Sequence, residues 1–292
     1  MENVLQKRKI VSKFYQKNVK SYLLILNYQL NTNNSYFCAE NEKKNMKSPL
    51  FYAKILLFGE YGIIKDSKGL AIPFNAYRGA LKTTDTFDEF SKKSNDNLRK
   101  FFTYISNLNS ELVSFDLAAF QKDLDNGMYF DSSIPQGYGV GSSGALVASI
   151  YDQYAQDKIT VLENLTREKL LKLKEIFSLM ESFFHGKSSG LDPLICYLNL
   201  PVLIQSKTKL DTVGLPTPND NGKGAIFLMD SGTIGQTQNM VSIFLEKCKN
   251  EGFRNLIKHQ FKKYNDECIH AFLNKDFKPL MSSIKHLSQL VY

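Results

Sequence analysis

The sequence has no tryptophan, only four cysteines and eight prolines, and no long apolar run. Each scarcity argues against a class of protein. Cys38, Cys196, Cys248 and Cys268 form no CxxC pair and lie at no metal-ligand spacing from a histidine. A zinc module or a disulfide scaffold is therefore not expected, and a reducing, cytoplasmic setting fits best. No apolar stretch nears the ~20 residues needed to cross a bilayer. Residues 22–26 follow several lysines like the core of a signal peptide, but Asn27 and Gln29 interrupt them too early. No membrane partner is expected, and there are no internal repeats.

What is present is an ordinary globular balance. With 43% hydrophobic and 23% charged residues over 292 positions, the chain can bury a core sufficient for one or two domains. The net charge of +8 is unevenly placed. Residues 1–45 hold eight Lys/Arg against Glu2, Glu40 and Glu42, which gives +5 and leaves +3 for the remaining body. That is too little for a basic face, so no nucleic-acid partner is expected. The same 45 residues are rich in Asn, Lys and Tyr without sustained periodicity. They read as a poorly ordered extension or as translated upstream sequence, with a better start at Met46.

From there the patterning predicts strands over 53–58, 69–75 and 78–84, with a turn near 66–68. A helix is expected within 97–107, a strand over 128–134 and a helix over 145–154. Thr166 is the expected N-cap of a helix running to about residue 184, with Glu168 in its first turn. Strands are predicted over 201–205 and 225–230, separated by a polar loop at 216–224, and helices over much of 238–292.

Three stretches carry chemistry. The first, residues 134–147, reads IPQGYGVGSSGALV. Its glycines let a backbone approach a ligand closely, and two serines open an apolar helix whose first amides are unpaired and carry the positive dipole end. That is a phosphate cradle, with hydroxyls suited to phosphate or metal. Residues 139–144 also match GxGxxG, the dinucleotide fingerprint, although the preceding MYFDSSI is too polar for a central parallel strand. A purely structural glycine turn stands beside it. A Walker A loop is excluded, because no Lys-Ser/Thr pair follows the glycines.

The second stretch holds two carboxylates eleven residues apart, Glu181 and Asp192. On a helix, Leu173, Phe177, Met180 and Phe184 form one apolar stripe, and Glu181 falls at its border, where a half-buried carboxylate needs a partner. A surface pair with His185 at i,i+4 is the plain alternative. Asp192, on a turn among hydroxyls and before Pro193, suits a general base or ordinary turn chemistry. The third stretch, 53–61, puts Lys54 at a strand's entry and Glu60-Tyr61 at its exit; a solvated lysine and an edge turn would read the same way.

In this order the three stretches resemble the GHMP kinases, and mevalonate kinases in particular, across about residues 50–292. Residues 135–144 are similar to the family's P-x-x-x-G-L-G-S-S-A motif, with Val140 for Leu and Gly144 for Ala. Lys54 through Gly59-Glu60-Tyr61 resembles the lysine-strand-GEH opening, with Tyr for His. Glu181 and residues 185–192 resemble H-G-x-P-S-G-x-D with its upstream glutamate, with Ser188 for Pro. Asp230 through Thr237 looks like a later strand and threonine-bearing loop.

The resemblance implies an α+β fold in two lobes, an S5-domain-2-like N-terminal lobe and a ferredoxin-like C-terminal lobe, the latter incomplete. The implied division is 46–205 for the ATP-binding domain and 206–292 for a partial second domain. It also implies ATP and Mg2+ as cofactors and a small-molecule alcohol as the partner; a homodimer is left open. Pro135, Gly137, Gly139, Gly141, Ser142, Ser143 and Gly144 would bind ATP, with Ser143 and Glu181 on the metal. Asp192 would act on the substrate hydroxyl beside Lys54, and Glu60, Tyr61, Ser189 and Thr237 would contact the acceptor.

The family's third motif, K-x-[ST]-G-A-G-G-G-G, is expected after the last helix and does not occur, so the chain reads as truncated. The implied activity is phosphorylation of mevalonate. Phosphomevalonate kinase, mevalonate diphosphate decarboxylase and a sugar kinase stay open within the family. A dinucleotide-binding oxidoreductase or a non-catalytic nucleotide-binding remnant stays open outside it.

Overall fold

The computed structural model describes residues 49–108, 110–161, 165–216, 229 and 237–290, without the side chains of 237–239. The predicted extension over 1–45, the strand over 225–230 apart from Met229, most of the loop at 216–224 and the Asp230–Thr233 stretch lie outside the described residues. The described residues up to 216 and from 237 onward belong to one compact unit.

The fold is mixed α/β, built on an antiparallel sheet. β1 (Phe51–Phe58) pairs with the long β2 (Gly69–Thr83), whose end pairs with β3 (Met128–Ser132). The start of β2 pairs with β4 (Val202–Ser206), which pairs in turn with β5 (Lys209–Thr212). The strands expected at 69–75 and 78–84 are thus one strand. The register against β1 jumps from Tyr52↔Arg78 to Ala53↔Phe74, so residues 75–77 bulge out, and Asn75 and Ala76 are exposed. A bulge leaves residues unpaired without ending a strand, which is why the sequence pattern broke there.

Helix α1 (Glu89–Ser106) begins well before the expected residue 97. Asp88 caps it, accepting from Ser91 N at 2.7 Å, while Ser91 Oγ accepts from the Asp88 amide at 3.0 Å. Helix α2 (Leu117–Asp125), capped by Asp116, was not predicted. Helix α3 (Ser142–Tyr154) is buried on nearly all sides. Helix α4 (Arg167–His185) starts at the Thr166 cap as expected and buries Leu170, Leu173, Ile176, Phe177 and Met180. At about 1.5–3 kcal/mol per buried side chain, this stripe is the main reason the helix docks. Phe184, predicted for the same stripe, is half-buried and packs edge-to-face on Phe183.

Helix α5 (Leu191–Leu198) replaces the turn expected around Asp192. Pro193 does not prevent it, because amides of a first helical turn lack intrahelical partners anyway. The C-terminal region is helical, as expected: α6 (Thr237–Lys247), α7 (Glu251–Asn255) running through a π segment (Leu256–Phe261) into α8 (Lys262–Leu273), and α9 (Phe277–Leu290). Small clusters join these helices to the end of β1 and the turn after it. Phe244, Cys248 and Ile257 pack with Tyr61 and Ile64, and Cys268, Ala271 and Leu280 pack with Phe58. No described helix is long and apolar enough to cross a membrane.

Candidate active site

The glycine-rich segment leaves β3 and runs through exposed Gly137, Tyr138 and Gly139 into α3. Gly137, Gly139 and Gly141 all have positive φ, and at Gly141 glycine is required twice over. Its φ is +87°, and a Cβ there would lie 2.9 Å from Lys54 Cγ. Gly141 stands at the N-cap of α3 with no side-chain cap, so the amides of Ser142, Ser143 and Gly144 meet no capping group. Gly144 serves close packing: a Cβ would lie 2.8 Å from the Asp192 carbonyl carbon and 2.9 Å from Pro193 N, so α3 lies directly against the start of α5.

Lys54 lies within β1, not at its entry. Its amide donates to Val140 O at 2.9 Å, which fastens the glycine loop to the sheet. Its side chain, 8% exposed, passes beneath the loop to place Nζ 2.8 Å from Asp192 Oδ2. Burial alone would lower the Lys54 pKa, but the Asp192 charge and hydrogen bond, with help from Glu60, raise it above its ordinary value. Asp192, in the first turn of α5, keeps 37% of its side chain open to solvent. Cys196, one turn on, is buried against Gly141 O, and burial pushes its thiol pKa well up.

Glu181 is 3% exposed, deeper than its position at the stripe's border predicted. Two serine hydroxyls hold it. Ser143 Oγ donates to Oε1 at 3.1 Å, and Ser188 Oγ donates to Oε2. Burial and the Asp192 charge raise its pKa to about 7, against the lowering effect of the two serines and Lys54. His185 Nε2 lies 3.1 Å from Ser143 Oγ.

Glu60 is at the surface of the turn after β1. Partial desolvation raises its pKa, with Lys54 opposing and Asp192 adding, and its exposure to water limits the effect. Tyr61 has the left-handed φ of 57° and stacks on Phe244 of α6, with ring centroids 5.7 Å apart. Its ring therefore packs on the C-terminal helices. Ser189 is exposed and its Oγ accepts weakly from Leu191 N at 3.4 Å. Thr237 opens α6, and its side chain lies outside the described residues. Pro135 is half-buried where the loop begins.

Lys54, Ser143, Glu181 and Asp192 are thus brought together, with Glu60 within electrostatic reach. Ser188 is a further partner of Glu181, and its one signal in the sequence is a serine where the resembling motif has proline. A separate cavity of about 370 Å³, lined by Lys68, Asp266, Glu267, His270, Ala271, Asp276 and Pro279, contains none of these residues. Among the described residues no group of three His, Cys, Asp or Glu side chains could hold a metal.

Residues 108–199 match the family model of the GHMP kinases N terminal domain, a span that encloses the glycine loop, Glu181 and Asp192. Among solved structures, the Lin0012 protein of Listeria innocua is similar at a TM-score of 0.51 and 16% identity, over 83% of this chain and 77% of that one. The L. major mevalonate kinase in complex with R-mevalonate gives 0.49 and 15%, over 84% and 74%. The Methanococcus jannaschii mevalonate kinase gives 0.47 and 16%, over 85% and 80%. No curated protein sequence matches the chain. The segment that carries the loop and both carboxylates is thus similar to the GHMP kinases N terminal domain.

Proposed function

We propose that this protein is an ATP- and Mg2+-dependent kinase that transfers the γ-phosphoryl group to an alcohol, with mevalonate as the acceptor, in cytoplasmic isoprenoid precursor synthesis. The observation that carries this reading is the Lys54–Asp192 ion pair at 2.8 Å, lying against the glycine loop at the start of α3. Asp192 is held by a buried cation yet open on one side, as a group must be that meets a substrate hydroxyl.

The residues fit the implied ligands. The uncapped α3 terminus and the glycine loop suit a triphosphate, because unpaired amides and the helix dipole favour anions. Ser143 and Glu181 offer a hydroxyl and a carboxylate 3.1 Å apart, hard oxygen donors of the kind Mg2+ takes alongside phosphate oxygens and water. When bound, Mg2+ neutralises charge on the transferred phosphoryl group. The protein's own part is positioning. The loop amides orient the phosphates, Ser143 and Glu181 hold the metal side, and Asp192 orients the acceptor hydroxyl and takes its proton. Lys54 fixes Asp192 in place. Glu60, Tyr61, Ser189 and Thr237 are the acceptor side of this proposal.

The test is an assay of ADP release across mevalonate, phosphomevalonate and sugars. Mevalonate-dependent release that disappears without Mg2+ is the expected result. Release with a sugar alone would change the acceptor, and NAD binding in place of ATP would overturn the kinase reading.

A further inference from the structure

Ser188 stands at the centre of a small hydroxyl network. Its Oγ donates to Glu181 Oε2 and accepts from the Gly190 amide at 3.0 Å. Its carbonyl accepts from Ser178 Oγ at 2.6 Å, and Ser182 Oγ donates to Ser178 O at 2.7 Å, so the 187–189 turn is fastened back onto α4. Gly190 in turn is the left-handed N-cap of α5, the helix that carries Asp192. A Cβ at Gly190 would lie 2.0 Å from Lys174 O, so this cap is pressed onto α4 and cannot shift to compensate.

A carboxylate joined to its backbone by three rotatable bonds is held in one orientation more firmly when both oxygens accept hydrogen bonds. Ser143 holds Oε1 from α3, and Ser188 holds Oε2 from the turn before α5. We infer that Ser188 is a positioning residue that keeps the Glu181 carboxylate turned toward Ser143 and ties it to the helix bearing Asp192. A proline at this position, as in the motif the segment resembles, has no side-chain donor, so the device belongs to this chain. The inference rests on the kinase reading only for its consequence in metal use.

The test compares Ser188→Ala, Ser188→Cys and Ser188→Thr in the full chain, by crystallography and by binding of a non-hydrolysable ATP analogue at varied Mg2+. In Ser188→Ala the Glu181 carboxyl should rotate so that Oε1 leaves Ser143. The Mg2+ concentration giving half-maximal analogue binding should rise by about 10-fold, the scale of losing one supporting contact to a metal ligand. Analogue binding without Mg2+ should not change, and Ser188→Thr should restore both properties. A purely structural role would lower the melting temperature without moving the Mg2+ requirement. If Ser188→Ala fails to fold, Ser188→Cys, which keeps the shape with a weak donor, gives the same comparison. Glu181 remaining on Ser143 in the alanine variant with an unchanged Mg2+ requirement, or, if alanine does not fold, a Mg2+ requirement in the cysteine variant equal to that of the wild type, would overturn the inference. A wild-type chain whose analogue binding ignores Mg2+ would refute the kinase reading instead, while the Glu181 orientation would still judge Ser188.

Discussion

Glu181 gives the protein a stability profile with an unusual sign, and Glu181→Gln exposes it. The wild-type carboxyl titrates near 7 in the folded protein because it is buried beside Asp192, whereas an unfolded glutamate titrates near its ordinary 4.5. Below about pH 4.5 the group is neutral in both states and costs nothing. Between 4.5 and 7 the unfolded chain releases this proton before the folded one does, so the folded state binds more protons and stability falls as pH rises. Above 7 the loss is complete and stays constant. A shift of about 2.5 units at about 1.36 kcal/mol each sets a ceiling of about 3 kcal/mol on it. Glutamine has nearly the same shape and cannot ionise. Its lost or reversed hydrogen bonds to Ser143 and Ser188 cost the same at every pH.

The assay is urea unfolding of both proteins at pH 5 and pH 8 without divalent cations. Stability of the variant minus that of the wild type should be larger at pH 8 than at pH 5 by 1 to about 3 kcal/mol. Equal differences at the two pH values would show that Glu181 is not held in its raised state. A smaller difference at pH 8 would mean that the serines and Lys54 outweigh burial and Asp192.

Asp192→Asn keeps volume but removes the proton acceptor and half of the ion pair; turnover should fall ~10²-fold or more in ADP-release kinetics while ATP affinity changes little. Gly141→Val places a branched side chain at φ +87° and against Lys54, so calorimetric affinity for ATP should fall at least ~10-fold with the far-UV circular dichroism retained. Gly144→Val pushes atoms into the Asp192–Pro193 backbone, and overpacking of this kind should cost about 1–3 kcal/mol in chemical denaturation.

Much of this site could be read along the chain because its parts are local. The glycine-serine run, the helix it opens, the Thr166 cap and the α4 stripe are each set by neighbouring residues, through φ freedom, unpaired amides and helical spacing. The spacing from Glu181 to Asp192 was visible for the same reason, since one helix and one turn span it. The two strands merged into one because a bulge is decided by the partner strand, and a local pattern cannot distinguish it from an end. Helix α5 was missed because its signals, a left-handed glycine cap and a proline in the first turn, also describe an ordinary turn; packing of Leu194, Ile195 and Leu198 into the core makes it a helix.

The residue types along the chain already set which groups can bind phosphate, metal and a hydroxyl, and their order resembles a family's motifs. Which of them meet depends on long-range packing. Lys54 and Asp192 are 138 positions apart, and their 2.8 Å contact exists because β1, the glycine loop and α5 pack together through Gly141 and Gly144. Glu181 took two serines because burial turned its carboxylate inward, where a charge must be held by whatever donors the neighbouring elements present. Tyr61 packed on Phe244 because an aromatic ring beside another gains more by stacking there than by facing water.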